Sequence, residues 1–130
     1  MLEPGIRELA EGPNFCIVTS LMPAGDVQAH PLWIDCDESG AHLLVNTEIG
    51  RQRYRNFTHD TRCTVTIIDH QSWYRWAEVR GQVVEMIGGD EARAHIDVLA
   101  HKYTGAPYAN PISTERVILK IRPKRQLFRG

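Results

Sequence analysis

The chain has 130 residues, 42% of them hydrophobic, which suffices for one domain with one packed core and is too short for two. Fifteen basic residues nearly balance sixteen acidic ones, so the molecule as a whole lacks the basic field expected of a nucleic-acid-binding protein. No apolar stretch is long enough to cross a bilayer and no secretory signal pattern is present. We therefore expect one soluble, cytoplasmic domain over residues 1–130, in which any anion site is local.

The first half of the chain is predicted to form a short helix and three strands. Residues 4–11 fit an opening helix, because proline is tolerated in a first helical turn. Residues 15–21 are rich in β-branched and apolar side chains and are predicted as the first strand. The return strand, residues 27–37, contains Pro31, which cannot donate a ladder hydrogen bond. We therefore expect this strand at a sheet edge or with a bulge. Residues 41–46 are predicted as the third strand.

The second half is predicted to add two helices and three strands. The polar, arginine-rich residues 50–59 fit a short helix. Residues 90–103 carry an apolar stripe at helical spacing and are predicted as a longer helix, with Asp90 as its N-cap. The strands are predicted over residues 63–69, 76–87 and 116–122. Six strands joined mostly by tight turns indicate a mainly β fold, an antiparallel barrel that is closed or partly closed.

Metal and disulfide chemistry find no support in the sequence. Cys16, Cys36 and Cys63 are odd in number and widely spaced, which favours reduced thiols. Neither a Cys-x-x-Cys pair nor a His-Glu-x-x-His helix occurs, so no metal site is expected.

The segment 46–56 is the most informative stretch for binding. A strand ends in polar residues, Gly50 follows, and Arg51, Arg53 and Arg55 alternate at the start of the predicted helix. Free N–H groups at a helix N-terminus can bind a phosphate or a carboxylate, and the planar guanidinium group of arginine can donate two hydrogen bonds to either. In a regular helix Arg53 turns away from the other two, so all three converge only on an anion near the helix start or on an extended polyanion. A solvated surface is the alternative interpretation.

Two aromatic segments could border a flat ligand. In His30-Pro31-Leu32-Trp33, the tryptophan either packs in the core or contacts a ligand, and the histidine either binds a ligand or lies at the surface. The segment 73–81 holds three aromatic rings among arginines, which fits a stacking wall or the centre of a dimer interface. Both interpretations apply if a ring site lies between subunits.

In order and spacing these segments resemble the pyridoxamine 5′-phosphate oxidase-like split β-barrels, and within them the oxidoreductases that use the deazaflavin coenzyme F420. The similarity extends over nearly the whole chain, from the opening helix through the segments 30–33, 46–56, 74–81 and 102–108. The resemblance implies a six-stranded antiparallel split barrel that forms a homodimer with two equivalent cofactor sites at the interface.

The resemblance also implies roles for individual residues. The cofactor phosphate and tail would be held by Thr47, Gly50, Arg51, Arg53, Arg55 and Asn56. The ring and ribityl portion would be bordered by His30, Pro31, Leu32 and Trp33, with contributions from Trp76 and Arg80. Many relatives have lysine in place of Arg53, which keeps the charge and changes the donor geometry.

The implied activity is hydride transfer from reduced coenzyme F420 to a small conjugated organic acceptor, with the proton supplied by solvent or His30. An FMN-dependent oxidase or reductase is the alternative within the same class, and a non-catalytic flavin or tetrapyrrole binder is the alternative outside it. No catalytic side-chain cluster is evident, which agrees with a cofactor that carries the chemistry.

Overall fold

The computed structural model describes all 130 residues as three helices and seven strands. The helices are α1 (Pro4–Glu11), α2 (Gln52–His59) and α3 (Gly89–Thr104). The strands are β1 (Phe15–Leu21), β2 (Val27–Pro31), β3 (Asp35–Cys36), β4 (Leu43–Glu48), β5 (Arg62–Ile68), β6 (Trp76–Ile87) and β7 (Arg116–Arg129). The mainly β prediction is confirmed, and no helix is both long and apolar enough to cross a membrane.

All strands belong to one antiparallel sheet in the order β2-β1-β5-β6-β7-β4-β3, which does not close. The predicted count of six strands is wrong, because the single return strand expected over residues 27–37 is two strands, β2 and β3. Pro31 ends β2, and the bond from Leu32 N–H to the Cys16 carbonyl, at 3.0 Å, is the last one that the chain makes to β1 before it leaves this edge. Residues 32–34 thus cross from one edge strand of the sheet to the other, and the result is a split barrel.

Alternating apolar side chains build the barrel core as the strand patterns predict. Val65 and Ile67 on β5, Val79 on β6, and Leu119 and Ile121 on β7 are all completely buried. The opening helix closes this core with three further buried residues, Ile6, Leu9 and Ala10. Strand β7 continues seven residues beyond the predicted end at 122, because register shifts against β6 interrupt the alternation that a sequence pattern detects.

Helix α3 lies outside the barrel and covers the other face of β4 and β7. Its buried residues Ala92, Ile96 and Leu99 form the predicted stripe, and Ile118 is the buried residue of β7 on that face. The helix begins one residue earlier than predicted and Gly88 is its N-cap, so the assignment of Asp90 as N-cap is wrong. Gly105 ends the helix at φ +78°, a left-handed conformation that favours glycine.

Candidate functional site

A cavity of about 550 Å³ lies where the crossing segment, residues 32–34, meets β1, β4 and the end of α3. Five of the predicted site residues line it: Pro31, Leu32, Trp33, Arg51 and Arg53. One part of the wall is aromatic and an adjoining part is basic, and the two meet where the Arg116 guanidinium lies 5.2 Å from the centre of the Tyr108 ring. A flat molecule with an acidic end would find an aromatic surface for its ring and a basic surface for its charge.

The aromatic wall is built around Trp33. Its ring stacks on Tyr103 with a centroid distance of 5.3 Å and an interplanar angle of 9°, and Tyr108 meets it edge-on at 6.2 Å. Tyr103 is itself fixed, because its hydroxyl donates to the Asn14 carbonyl at 2.7 Å and accepts from Ile34 N–H at 3.2 Å. Burial raises the pKa of Tyr103 to about 12, so the phenol stays neutral. Trp33 is therefore part of the cavity wall and lies outside the core cluster.

The basic wall consists of three guanidinium groups, those of Arg51, Arg53 and Arg116. The Nε of Arg53 donates to the Thr47 hydroxyl at 2.8 Å, and the Nε of Arg116 donates to Oδ1 of Asn46 at 2.8 Å. Burial, then the neighbouring positive charges of Arg51 and Arg116, lower the pKa of Arg53. Arginine nevertheless stays protonated at neutral pH. These partly buried hydrogen bonds hold two of the three guanidinium groups in fixed positions.

Only one buried carboxylate compensates these charges. Glu48 is 4% exposed and lies 3.6 Å from Arg116. Burial alone would raise the pKa of Glu48, but hydrogen bonds from Thr114 and Ser113 and the charge of Arg116 together lower it. With Glu48 ionised, three positive charges face one negative charge. The wall keeps an excess of positive charge that an anionic ligand would neutralise.

His30 adds a polar atom without a partner. It lies beside the arginines and outside the cavity lining, and its Nδ1 is buried with no hydrogen-bond partner. Burial, then Arg53 and Arg51, lower the pKa of His30, so the ring is neutral at pH 7. A buried polar atom of this kind is normally hydrogen-bonded in a complete site.

Helix α2 separates the predicted tail-binding residues into two groups. Arg51 and Arg53 line the cavity. Thr47 does not line it, but its hydroxyl accepts the hydrogen bond that orients Arg53. Arg55 instead donates to the Gly50 carbonyl at 2.8 Å and to Gln52 at 2.8 Å. Convergence of all three arginines is therefore absent from the single chain.

Two further residues of this segment have local contacts. Gly50 N–H donates to the Thr114 hydroxyl at 3.1 Å, and a Cβ at Gly50 would lie 2.9 Å from the Thr114 methyl group. Asn56 is buried and donates to the Ser20 hydroxyl at 2.9 Å, which fastens α2 to β1. Both contacts hold the helix start in place, next to the basic wall.

Trp76 and Arg80 lie away from this cavity. Trp76 begins β6 opposite Ile68, and Arg80 forms an ion pair with Glu78 at 2.9 Å. Within one chain the structure does not bring either residue to the aromatic or the basic wall.

Three residues of the walls were not among the predicted site residues: Tyr103, Tyr108 and Arg116. The alternation in residues 116–122 does place Arg116 opposite the core-facing side chains, which is a usable signal. The stack of Tyr103 on Trp33 joins residues 70 positions apart, and no local pattern reveals it.

Comparison with known proteins agrees with this fold. The family model described as pyridoxamine 5′-phosphate oxidase matches residues 2–129. No curated protein matches the chain. Among solved structures, an F420 reductase has a TM-score of 0.83 at 28% identity, covering 97% of this chain and 98% of that one.

Two more distant structures show the fold alone. A conserved hypothetical protein from Mycobacterium tuberculosis has a TM-score of 0.78 at 19% identity, covering 99% of this chain and 84% of that one. HupZ from Group A Streptococcus has a TM-score of 0.68 at 12% identity, covering 98% of this chain and 94% of that one. Since the family model matches almost the entire chain, this protein belongs to the pyridoxamine 5′-phosphate oxidase family.

Proposed function

We propose that this protein is an oxidoreductase that binds coenzyme F420 in the cavity beside Trp33 and transfers hydride from the reduced cofactor to a small conjugated organic acceptor. The observation that carries the proposal is the basic wall, where three guanidinium groups share one carboxylate and adjoin the stacked aromatic rings. Family membership and the likeness to an F420 reductase support a flavin-type cofactor.

The chain's own groups would hold and orient the cofactor. Arg51 and Arg53 would bind the phosphate and the acidic tail, and Thr47 would fix the direction of Arg53. Pro31, Leu32 and Trp33 would border the ring system. When bound and reduced, the deazaflavin supplies the hydride, so the protein needs to provide position and a dry pocket. Neutral His30 lies beside Arg51 and Arg53, just outside the cavity lining, and either His30 or solvent would supply the proton.

We also propose that the protein is a homodimer and that it is located in the cytoplasm. Trp76 and Arg80 could reach a cofactor only from a second copy, because they lie away from the cavity of their own chain. Exposed aromatic side chains support a contact between copies: Trp73 is 84% and Tyr74 is 90% exposed in the loop between β5 and β6. This loop is tied to the cavity lining, since His70 N–H donates to Asn14 Oδ1 at 3.0 Å.

FMN is the second candidate cofactor, and the family match favours it. A single phosphate would be satisfied by Arg51 and Arg53, leaving Arg116 without an anionic partner other than Glu48. A tail with additional carboxylates would use all three arginines. Because Arg116 is paired with Glu48, the wall also suits a single phosphate, and F420 is the first candidate on the likeness to the F420 reductase.

Side-by-side titrations with F420 and FMN test the proposal. We compare the wild type with the double variant Arg51→Ala, Arg53→Ala, and with Arg122→Ala, Arg129→Ala as a control that removes the same charge from exposed positions. A charge-assisted hydrogen bond contributes roughly 1.5–3 kcal/mol, so the first double variant should bind F420 at least about tenfold more weakly. Equal affinities in the two double variants would refute the assignment of the cavity.

Turnover separates an enzyme from a binding protein. Reduced F420 is mixed with the wild type and a panel of conjugated acceptors, and oxidation of the cofactor is followed by absorbance. Acceptor-dependent oxidation is expected. If the protein binds F420 tightly and no acceptor of the panel causes oxidation of the cofactor, the protein is a cofactor carrier, and the proposed enzymatic activity is refuted. A protein that purifies yellow with tightly held flavin would establish FMN in place of F420.

A further inference from the structure

A chain of hydrogen-bonded side chains links the end of the crossing segment to the basic wall. It runs from Asp35 on β3 through His95 on α3 and Asn46 on β4 to Arg116 on β7. Asn46 and Arg116 line the cavity beside Trp33, whereas Asp35 and His95 lie outside its lining. Four elements of the fold thus contribute one side chain each to a single polar network.

Two partners of opposite kind fix the orientation of the Asn46 amide. Its Oδ1 accepts from Arg116 Nε at 2.8 Å, and its Nδ2 donates to the Ala92 carbonyl at 3.0 Å. In a flipped amide, the NH₂ group would face the Arg116 donor and the oxygen would face the Ala92 acceptor, so both hydrogen bonds would be lost. Asn46 is 5% exposed, so water does not replace them. The amide therefore has one orientation.

The orientation of this amide assigns the hydrogens of the His95 ring. His95 Nδ1 lies 3.1 Å from Asn46 Nδ2, which is a donor, so Nδ1 accepts and carries no hydrogen. The other ring nitrogen, Nε2, then carries the hydrogen and donates to Asp35 Oδ2 at 3.1 Å. Every hydrogen bond of the network therefore points in the same direction, from Arg116 towards Asp35.

A hydrogen on Nδ1 of His95 would disrupt this arrangement. Two donors, Nδ1–H and the Asn46 NH₂ group, would then face each other at 3.1 Å, and the side chain of His95 is only 10% exposed. The amide could relieve this conflict only by flipping, which would place a second donor against Arg116 Nε. The form of the His95 ring is thus coupled to the hydrogen bond that holds Arg116.

Arg116 depends on this bond for its direction. Its other contacts are longer, since Nη1 lies 3.6 Å from Glu48 and the guanidinium carbon lies 5.2 Å from the centre of the Tyr108 ring. A hydrogen bond at 2.8 Å constrains the guanidinium plane more strongly than either contact. Because it uses the Nε hydrogen, the Nη hydrogens remain available to Glu48 and to an anion in the cavity.

We propose that His95 is a positioning residue of the anion site at the basic wall. It acts through Asn46 to hold the Arg116 guanidinium in the direction that a phosphate or carboxylate in the cavity requires, and Asp35 fixes the ring from its other side. The inference rests on the proposed function in one respect, namely that an anionic ligand binds in this cavity.

Long-range ¹H–¹⁵N NMR spectra of the histidine rings test the assignment of the hydrogens. The chain of 14.8 kDa is small enough for the ring signals of His95 to be assigned through its backbone. In the wild type at neutral pH, Nδ1 should be unprotonated and Nε2 protonated. A histidine that only fills space has no reason to be held in this form. A ring that carries a hydrogen on Nδ1 would overturn the proposal, and this measurement requires no variant.

A matched pair of variants tests the effect on binding. His95→Phe keeps a ring and removes the acceptor for Asn46, so the affinity for F420, FMN or inorganic pyrophosphate should fall about fivefold. His42→Phe is the control, because His42 Nδ1 pairs with Asp37 at 2.8 Å and neither residue lines the cavity. Both variants lose a histidine–aspartate pair and should melt at similar temperatures. Only His95→Phe should weaken binding and shift the Arg116 Nε–H signal.

The three anions separate this inference from the proposed function. If F420 or FMN binds equally well to the wild type and to His95→Phe, or if both variants weaken binding equally, the inference is overturned and the proposed function stands. If only pyrophosphate binds, shifts the amide signals of Asn46 and Ile96, and loses affinity in His95→Phe, the inference stands and the proposed function fails. If none of the three binds to the wild type, both fail.

Discussion

Replacing Glu48 with glutamine should destabilise the protein and at the same time strengthen its binding of anions. Glu48 Oε1 accepts hydrogen bonds from Ser113 N–H at 3.0 Å, Thr114 N–H at 2.7 Å and the Thr114 hydroxyl at 3.0 Å. Its other oxygen lies 3.6 Å from Arg116 Nη1. Glutamine can keep the acceptor role of Oε1, so the change mainly removes the charge.

The distance sets the magnitude of the loss. Two unit charges 3.6 Å apart attract by about 4–5 kcal/mol at an effective dielectric constant of about 20. Solvent in the adjoining cavity screens the pair, and the charge of Arg116 remains in place without its partner, so we expect a net loss of about 2–3 kcal/mol in the free energy of unfolding. For a domain of this size that corresponds to roughly 6–12 °C in melting temperature.

The effect on binding has the opposite sign. With Glu48 neutral, the charge of Arg116 is no longer compensated and becomes available to a ligand. An additional unpaired guanidinium in a half-open site contributes on the order of 1 kcal/mol to a bound anion, which is roughly fivefold in affinity.

Thermal denaturation and cofactor titration measure the two effects on the same samples. Glu115→Gln is the control, because Glu115 is exposed and its side chain forms no ion pair with Arg116, its neighbour in the chain. The control should leave the melting temperature within about 2 °C of the wild type. A Glu48→Gln variant that is destabilised and also binds F420 more weakly would refute the electrostatic account of the basic wall.

Three further changes test the walls of the cavity. Thr47→Val removes the hydroxyl that fixes Arg53, so titration should show F420 affinity about fivefold lower with little change in melting temperature. Arg53→Gln removes a repulsive charge and should raise the pKa of His30 towards its ordinary value without reaching it, because burial remains the larger cause; an NMR pH titration showing an unchanged or lower pKa would contradict this. Tyr103→Phe loses two hydrogen bonds and keeps the ring stack, so denaturant unfolding should show a loss of about 1–3 kcal/mol.

Local patterns predict most of the fold. Helix α1 and strands β1 and β6 begin and end at the predicted residues, because their turn signals and alternation are uninterrupted. Prediction fails where pairing overrides the pattern. Pro31 indicates an edge strand correctly, but the division into β2 and β3 follows from the chain crossing to the opposite edge of the sheet.

The candidate site is less predictable than the fold, since its walls join distant parts of the chain. Residues 51–53 stand out by composition alone, whereas Arg116 belongs with them only through the pairing of β4 with β7. Arg55 has the same residue type and spacing as Arg53, yet it contacts the backbone of its own segment. The rotation of α2 decides between these two arginines, and a single sequence does not fix that rotation.

The open sheet explains why the aromatic wall lies where it does. After Leu32 the crossing segment leaves the ladder, so the backbone groups that follow require other partners. Ile34 N–H donates to the Tyr103 hydroxyl, and the Ile34 carbonyl accepts from Lys102 Nζ, which also donates to Ala10. Lys102 and Tyr103, at the end of α3, therefore hydrogen-bond the backbone of the segment that carries Trp33, and the Tyr103 ring stacks on the indole of Trp33. Changes at Lys102 should accordingly alter the position of Trp33 and hence ring binding, although Lys102 does not line the cavity.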